Sequence, residues 1–213
     1  MDPYLRDYWD RIGPAQTFAH PLRLDWLTDL APDARILDYG CGYGRNLQAL
    51  HDQGWRNALG VDFSAAMIAS GRALHPHLDL RLVDALPLAE PDAGFDAVLL
   101  FAVLTCIPRG EDQIALVAEL RRLLKPGGLL YVSDYPLQTD PQNLARYRAS
   151  QPRHGVYGVW DREDGGVFRH HDMAWLQQLL SGFEDAARDV IETSTMGGNA
   201  ATVVQILSRA PSA

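Results

Sequence analysis

Lysine is nearly missing from this chain: Lys125 is the only one, and every other fixed positive charge is an arginine. Lys and Arg together number 19 against 27 Asp and Glu, a formal net charge of −8. No Lys/Arg cluster forms the footprint of a phosphate-backbone binder, and the acidity repels nucleic acid, so no nucleic-acid partner is expected. Cysteine is also scarce. Cys41 and Cys106 are the two present, too few for a disulfide scaffold and spaced like no metal motif. No metal site is expected, and a reducing, cytoplasmic setting is the simplest reading. Long apolar runs are absent too. The longest, Ala97–Leu104, is far too short to cross a membrane. The opening MDPYLRDYWDRIG is charged and lacks an apolar core, so it does not read as a signal peptide.

What is present is an ordinary globular composition: 213 residues, 47% hydrophobic and 22% charged. That length favours one domain, 1–213, with an N-terminal helical segment over 1–30. In Pro3–Ile12, residues Tyr4, Leu5, Tyr8, Trp9 and Ile12 recur at helical spacing, and His20–Leu30 carries Leu24, Leu27 and Leu30 as one stripe. Strands are predicted at 35–39, 58–62, 78–83, 95–101 and 129–133. Helices are predicted between them at 46–53, 65–74 and 110–124, with Ser64 as a cap. Strand–helix alternation with crossover-length links argues for α/β layers around a mostly parallel sheet. Beyond Asp134 the pattern changes. Residues 135–169 are rich in proline and glycine and read as irregular, with a short helix near 144–148 and at most a short hairpin. A helix over 172–180 and an antiparallel hairpin of 189–195 with 201–208 complete the chain.

The strongest local signal is ILDYGCGYGRN, residues 36–46. A strand ends in an acid, glycines alternate at 40, 42 and 44, and a helix begins. Glycine allows the backbone to approach a ligand closely, and the helix start offers unpaired N–H groups. A turn of this kind at the carboxyl end of a parallel strand is where nucleotide-like ligands bind. The spacing is wrong for the dinucleotide Gly-x-Gly-x-x-Gly fingerprint, and no P-loop is present. Asp38 would repel a pyrophosphate and suits a positively charged ligand. Asp62 ends the second strand, where a carboxylate accepts hydrogen bonds from ribose hydroxyls. Asp84 ends the third and can accept from an exocyclic amine; Phe101 ends the fourth and can wall a pocket.

Together ILDYGCGYG (36–44), GVDFS (60–64), VDALPL (83–88), FDAVLLFAVLTCI (95–107) and LLKPGGLLYVSD (123–134) resemble the class I S-adenosylmethionine-dependent methyltransferases of Rossmann-like fold. The resemblance implies a seven-stranded sheet of order 3-2-1-4-5-7-6 with strand 7 antiparallel, and S-adenosylmethionine as cofactor. It implies that Asp38, Gly40, Cys41 and Gly42 hold the methionine part, Asp62 the ribose, and Phe63 and Met67 the neighbourhood of the adenine. Asp84 and Ala85 would meet the adenine edge, and Phe101 would sit near the transferred methyl. The family's small-molecule members often carry a His-His pair after strand 4, where this chain has Thr105-Cys106.

For the acceptor the candidates are His170 and His171, of which adjacent side chains cannot both act, and His20 ahead of its helix. Arg169 could pair with a carboxylate, and Tyr8, Trp9, Tyr157 and Trp160 could wall a pocket shaped by the 135–171 segment. Methylation of a small molecule by in-line displacement is therefore the expected function. The competing readings are a nicotinamide-dependent oxidoreductase and a non-catalytic S-adenosylmethionine-binding partner subunit. Monomer and homodimer both remain open.

Overall fold

The continuous apolar run FDAVLLF becomes β4 (Phe95–Phe101), a strand whose Phe95 and Ala97–Leu100 are wholly buried. Such a run suits only a strand covered on both faces. In the computed structural model, which describes residues 3–212, β4 is the centre of a seven-stranded sheet. Around it lie β1 (Ile36–Tyr39), β2 (Ala58–Asp62), β3 (Asp79–Leu82), β5 (Leu124–Asp134), β8 (Glu184–Ser194) and β9 (Ala200–Arg209). Their order is β3-β2-β1-β4-β5-β9-β8, and β9 runs antiparallel to both β5 and β8. A two-stranded hairpin, β6 (Val159–Asp161) with β7 (Val167–Arg169), intervenes in the numbering. With that offset the sheet has the expected order, its penultimate strand in space being the antiparallel one.

Alternate residues of the central strands point to opposite faces. Leu37, Val98, Leu100 and Val132 pack under α4 (Gly110–Leu123) and α6 (Met173–Leu179) through Leu116, Leu120 and Leu176. Ile36, Ala97, Leu99 and Tyr131 face the other way, against Leu27 and against Leu50 of α2 (Arg45–Asp52). Each large side chain buried this completely contributes about 1.5–3 kcal/mol. Ser64 caps α3 (Ala65–Leu74) by accepting from Met67 N, as its position predicts.

Three expectations need correction. The helix over 20–30 is only a 3-10 turn at Leu24–Leu27. Pro21 and Pro32 bracket the stretch and restrict their preceding residues, and Leu27 alone of the stripe is fully buried. The short helix near 144–148 is α5 (Pro141–His154), capped by the Asp140 side chain on Asn143 N and closed by Gly155 at φ 70°. Pro152 sits in its last turn, where a proline sacrifices only one intrahelical bond. β5 starts at Leu124 rather than 129: Leu124 pairs with Phe95, and a register shift then precedes the Ala97–Leu129 pair. Pro3–Ile12 is helical as read, and is named α1. No helix among the described residues is long and apolar enough to cross a membrane.

Candidate active site

Every parallel strand of the sheet delivers its carboxyl end to one edge, and the Gly40–Gly44 turn closes over that edge. Gly40 has φ 73°, and a Cβ there would lie 2.4 Å from Val103 Cγ2. Gly40→Ala is therefore expected to cost about 1–3 kcal/mol from backbone strain, with a further loss from displacing Val103; urea unfolding would measure it. Gly42 N donates to Asp62 Oδ2 at 2.9 Å and Ser64 N to Oδ1 at 2.8 Å, so one carboxylate ties the turn to the end of β2. Burial pushes the Asp62 carboxyl up to about 6, against the pull of these backbone donors. Each carboxylate oxygen keeps a second lone pair.

The turn, Asp62, Phe63, Met67 and Phe101 line a small cavity with Arg45, Asn46, Tyr43 and Val103. Asp38 does not line it. It is 1% exposed, and neither carboxylate oxygen has a hydrogen-bond partner of normal geometry, although the Asn46 side chain lies close enough to favour its charge. Burial raises its pKa to about 7, opposed chiefly by the charge of Arg45. An unsatisfied buried carboxylate beside a cavity is an unfilled demand for a cation or donor. The Asn46 Oδ1 is likewise unpartnered. Burial drives the Cys41 thiol well above its ordinary value, so it stays neutral.

The α1 helix roofs this cavity. Asp10 Oδ1 accepts from Ser64 Oγ at 2.6 Å and from Ala66 N at 3.0 Å, adding a carboxylate to the α3 N-terminus. Trp9 and Phe18 line the cavity from this side. The expected adenine contacts differ: Asp84 is 80% exposed and pairs with Arg6 of α1 at 2.9 Å, and neither it nor exposed Ala85 lines the cavity. The third strand ends at Leu82, so its terminal acid projects to the surface, where a nearby cation claims it.

A second, larger cavity of about 700 Å³ adjoins the first and shares Trp9, Phe18, His20, Ala102 and Cys106 with it. Its other walls include Thr105, Tyr135, Gln138, Arg146, Trp160, Phe168 and His170. Ala102 holds φ 54°, a left-handed residue at the end of β4 at this junction.

The three candidate histidines separate. His20 is 3% exposed; its Nδ1 lies 3.0 Å from Ser133 Oγ and its Nε2 has no partner. Burial first, against the nearby Asp134 charge, lowers its pKa to about 4. His170 lines the larger cavity, but its Nδ1 is engaged by the Tyr147 hydroxyl and its ring stacks on Tyr135 at 5.2 Å. Burial lowers it to about 3, with Arg146 adding to the effect. His171 points away: it is fully buried, lines neither cavity, and its Nε2 sits 3.5 Å from Asp134 Oδ1. Successive residues leaving β7 alternate in direction, which divides the pair. Arg169 is also outside, donating to Pro108 O at 3.2 Å and stacked on Trp175. Of the four aromatics, Trp9 and Trp160 line the larger cavity while Tyr8 and Tyr157 do not. Arg146 and Gln138 stand in no motif, so nothing in the sequence marked them, while Arg45 lies within the 36–46 motif, where the resemblance implies no role for it.

A model of the methyltransferase domain matches residues 37–132, the stretch from β1 through most of β5. A ubiquinone biosynthesis O-methyltransferase of Pseudomonas aeruginosa is 30% identical over 184 residues, covering 74% of this chain and 77% of its own length. The chain belongs to the class I S-adenosylmethionine-dependent methyltransferases. A ubiquinone biosynthesis O-methyltransferase of Xylella fastidiosa is 36% identical over 137 residues, and the chain spans about half, 53%, of that relative's length. Among solved structures, a Methanosarcina mazei S-adenosylmethionine-dependent methyltransferase superposes with TM-score 0.85 at 23% identity, covering 91% of this chain and all of that one. A [4+2]-cyclase shares the fold at TM-score 0.67 and 20% identity. S-adenosylmethionine is the family's cofactor, and this methyltransferase fits it: Asp62 lines the cavity with lone pairs left for a diol, and the buried Asp38 behind the glycine turn favours a cationic amino acid portion there.

Proposed function

We propose that this methyltransferase moves a methyl group from S-adenosylmethionine to a small molecule seated in the 700 Å³ cavity, with His20 as the base beside the acceptor atom. The observation that carries the reading is the place of His20. It belongs to the wall common to both cavities, its Nδ1 is anchored on Ser133, and its Nε2 is unpartnered. Ser133 Oγ also receives Gln205 Nε2 at 3.5 Å, and that amide donates to Pro21 O at 2.6 Å. Ser133 Oγ has a second lone pair for an Nδ1–H donor, and in that tautomer Nε2 is the free acceptor a base requires.

When bound, the cofactor supplies a methyl on a sulfonium, displaced in line. The chain's own tasks are to hold both partners in register, to exclude water, and to receive a proton from a hydroxyl acceptor at His20 Nε2. Gly40, Cys41, Gly42, Asp62, Phe63, Met67 and Phe101 form the donor side, and Asp38 lies buried behind the turn. His170 is a wall of the acceptor side, and residues 135–171 together with 194–201 supply most of the rest. The similarity to ubiquinone biosynthesis O-methyltransferases supports an oxygen acceptor. The two buried free thiols suit a reducing compartment, and we place the protein in the cytoplasm.

Incubation with methyl-labelled S-adenosylmethionine and a panel of phenols and catechols tests this. S-adenosylhomocysteine and a labelled acceptor should appear together in equal amounts. Tight cofactor binding without turnover on any acceptor would favour the non-catalytic reading, and turnover of the kind shown by the cyclase would appear without cofactor consumption.

A further inference from the structure

The larger cavity contains one guanidinium, Arg146, that makes no direct ion pair among the described residues; the nearby Asp140 charge acts on it without contact. Its acidic neighbours are already committed. Asp161 pairs with Arg153 at 2.9 Å and His154 at 3.1 Å, and Asp164 pairs with Arg162 at 3.0 Å. Asp140 spends its carboxylate on the N-terminus of α5, and Glu163 is exposed at the rim. Arg146 lines the same cavity and makes no ion pair among the described residues. Its guanidinium donates from Nη2 to the Asn143 amide oxygen and lies 3.4 Å from the Trp160 ring centroid. Its Nε is buried with no acceptor. The indole Nε1 of Trp160, on the ring it stacks against, is also buried with no acceptor.

A guanidinium has five N–H donors and cannot shed its charge; half-buried, with Tyr147 and Asp140 offsetting only part of its desolvation and its Nε unpartnered, it has donors left for an anion. Fixed to an aromatic face, it keeps its planar fork in one orientation, which suits a planar oxyanion better than a spherical one. The surrounding walls are flat as well. Trp160 lies on Phe168 at 5.5 Å between centroids with 32° between planes, and Trp9 and Tyr135 complete the lining. Neutral His20, on the wall shared with the donor cavity, adds no charge of either sign.

We propose that the methyl acceptor is an aromatic carboxylic acid, its carboxylate held by Arg146 and its ring enclosed by Trp160, Phe168, Trp9 and Tyr135. This rests on the reading of the larger cavity as the acceptor site, and deepens it by naming the substrate class. The carboxylate gives the acceptor a fixed end, so the ring's far side is presented to the wall shared with the donor cavity.

The test is isothermal titration of protein saturated with S-adenosylhomocysteine, using 4-hydroxybenzoate against 4-hydroxybenzamide and 3,4-dihydroxybenzoate against its amide. Each acid should bind at least about tenfold more tightly than its amide, about 1.4 kcal/mol. In Arg146→Gln the acid should lose that advantage while S-adenosylhomocysteine still binds, which shows the variant folded. Trp160→Phe keeps the stacking surface and should retain part of the preference. Equal affinity of acid and amide for the wild type overturns the proposal, as does failure of both to bind or a preference that survives Arg146→Gln. Failure of S-adenosylhomocysteine to bind at all would instead strike the methyltransferase reading beneath it.

Discussion

His20→Ala is expected to lower kcat by roughly 10²–10⁴-fold on a hydroxyl acceptor, the usual contribution of a positioned general base. Cofactor affinity should change little, because the polar atoms of His20 make no hydrogen bond on the donor side: Nδ1 is held by Ser133 and Nε2 is unpartnered. A base differs from a merely space-filling wall in its pH profile. With the pKa lowered to about 4, His20 is neutral and able to accept a proton throughout the range above that value. The acid limb of kcat/KM should therefore fall near pH 4, well below the position of an ordinary histidine near 6.5. Protonation below that point removes the acceptor lone pair, so the rate falls as pH falls. In His20→Ala the limb should vanish along with the rate. A variant with near-wild-type kcat on a phenol would remove His20 from the chemistry, and a rate loss with an unchanged acid limb would assign it a packing role.

Asp62→Ala should weaken S-adenosylmethionine binding by at least about a hundredfold. Hydrogen bonds to a charged group contribute about 1.5–3 kcal/mol each, and a ribose diol offers two. The same substitution also frees Gly42 N and Ser64 N, which now end on the two carboxylate oxygens. The glycine turn loses its tether to β2 together with the ligand contact. Asp62→Asn should be nearly as damaging, since its amide NH2 would confront a backbone donor where an acceptor is required. Calorimetry with S-adenosylhomocysteine reads both variants, and unchanged affinity in Asp62→Ala would overturn the donor-site assignment.

The donor half was legible because the chemistry is written in consecutive residues. A strand ending in Asp38, alternating glycines and a second strand ending in Asp62 fix a turn, and the turn fixes a cavity. The same reasoning overreached at Asp84. A strand-terminal acid is a ligand only if the strand reaches the cavity, and β3 stops short while Arg6 of a distant helix takes the carboxylate. The acceptor half was less legible for a related reason. Trp160, Arg146 and His20 converge from three segments, and no local spacing connects them. The α5 helix was hidden by Pro152, although Asp140, Pro141 and Gly155 carry the start and stop signals that the structure uses. His170 and His171 were correctly expected to part company, but which one met the cavity depended on how the chain leaves β7.

The wall that the two cavities share has a consequence for how such an enzyme changes its trade. The family model ends at residue 132, and the donor cradle lies within it or is roofed by α1. Most of the acceptor chamber comes from later chain, from Tyr135 to Ala201. Exchange of that downstream stretch between relatives would hand the enzyme a new clientele while leaving its currency untouched. His20 and Trp9, lent by the opposite end of the chain, would stay behind as the fixed party to every such exchange.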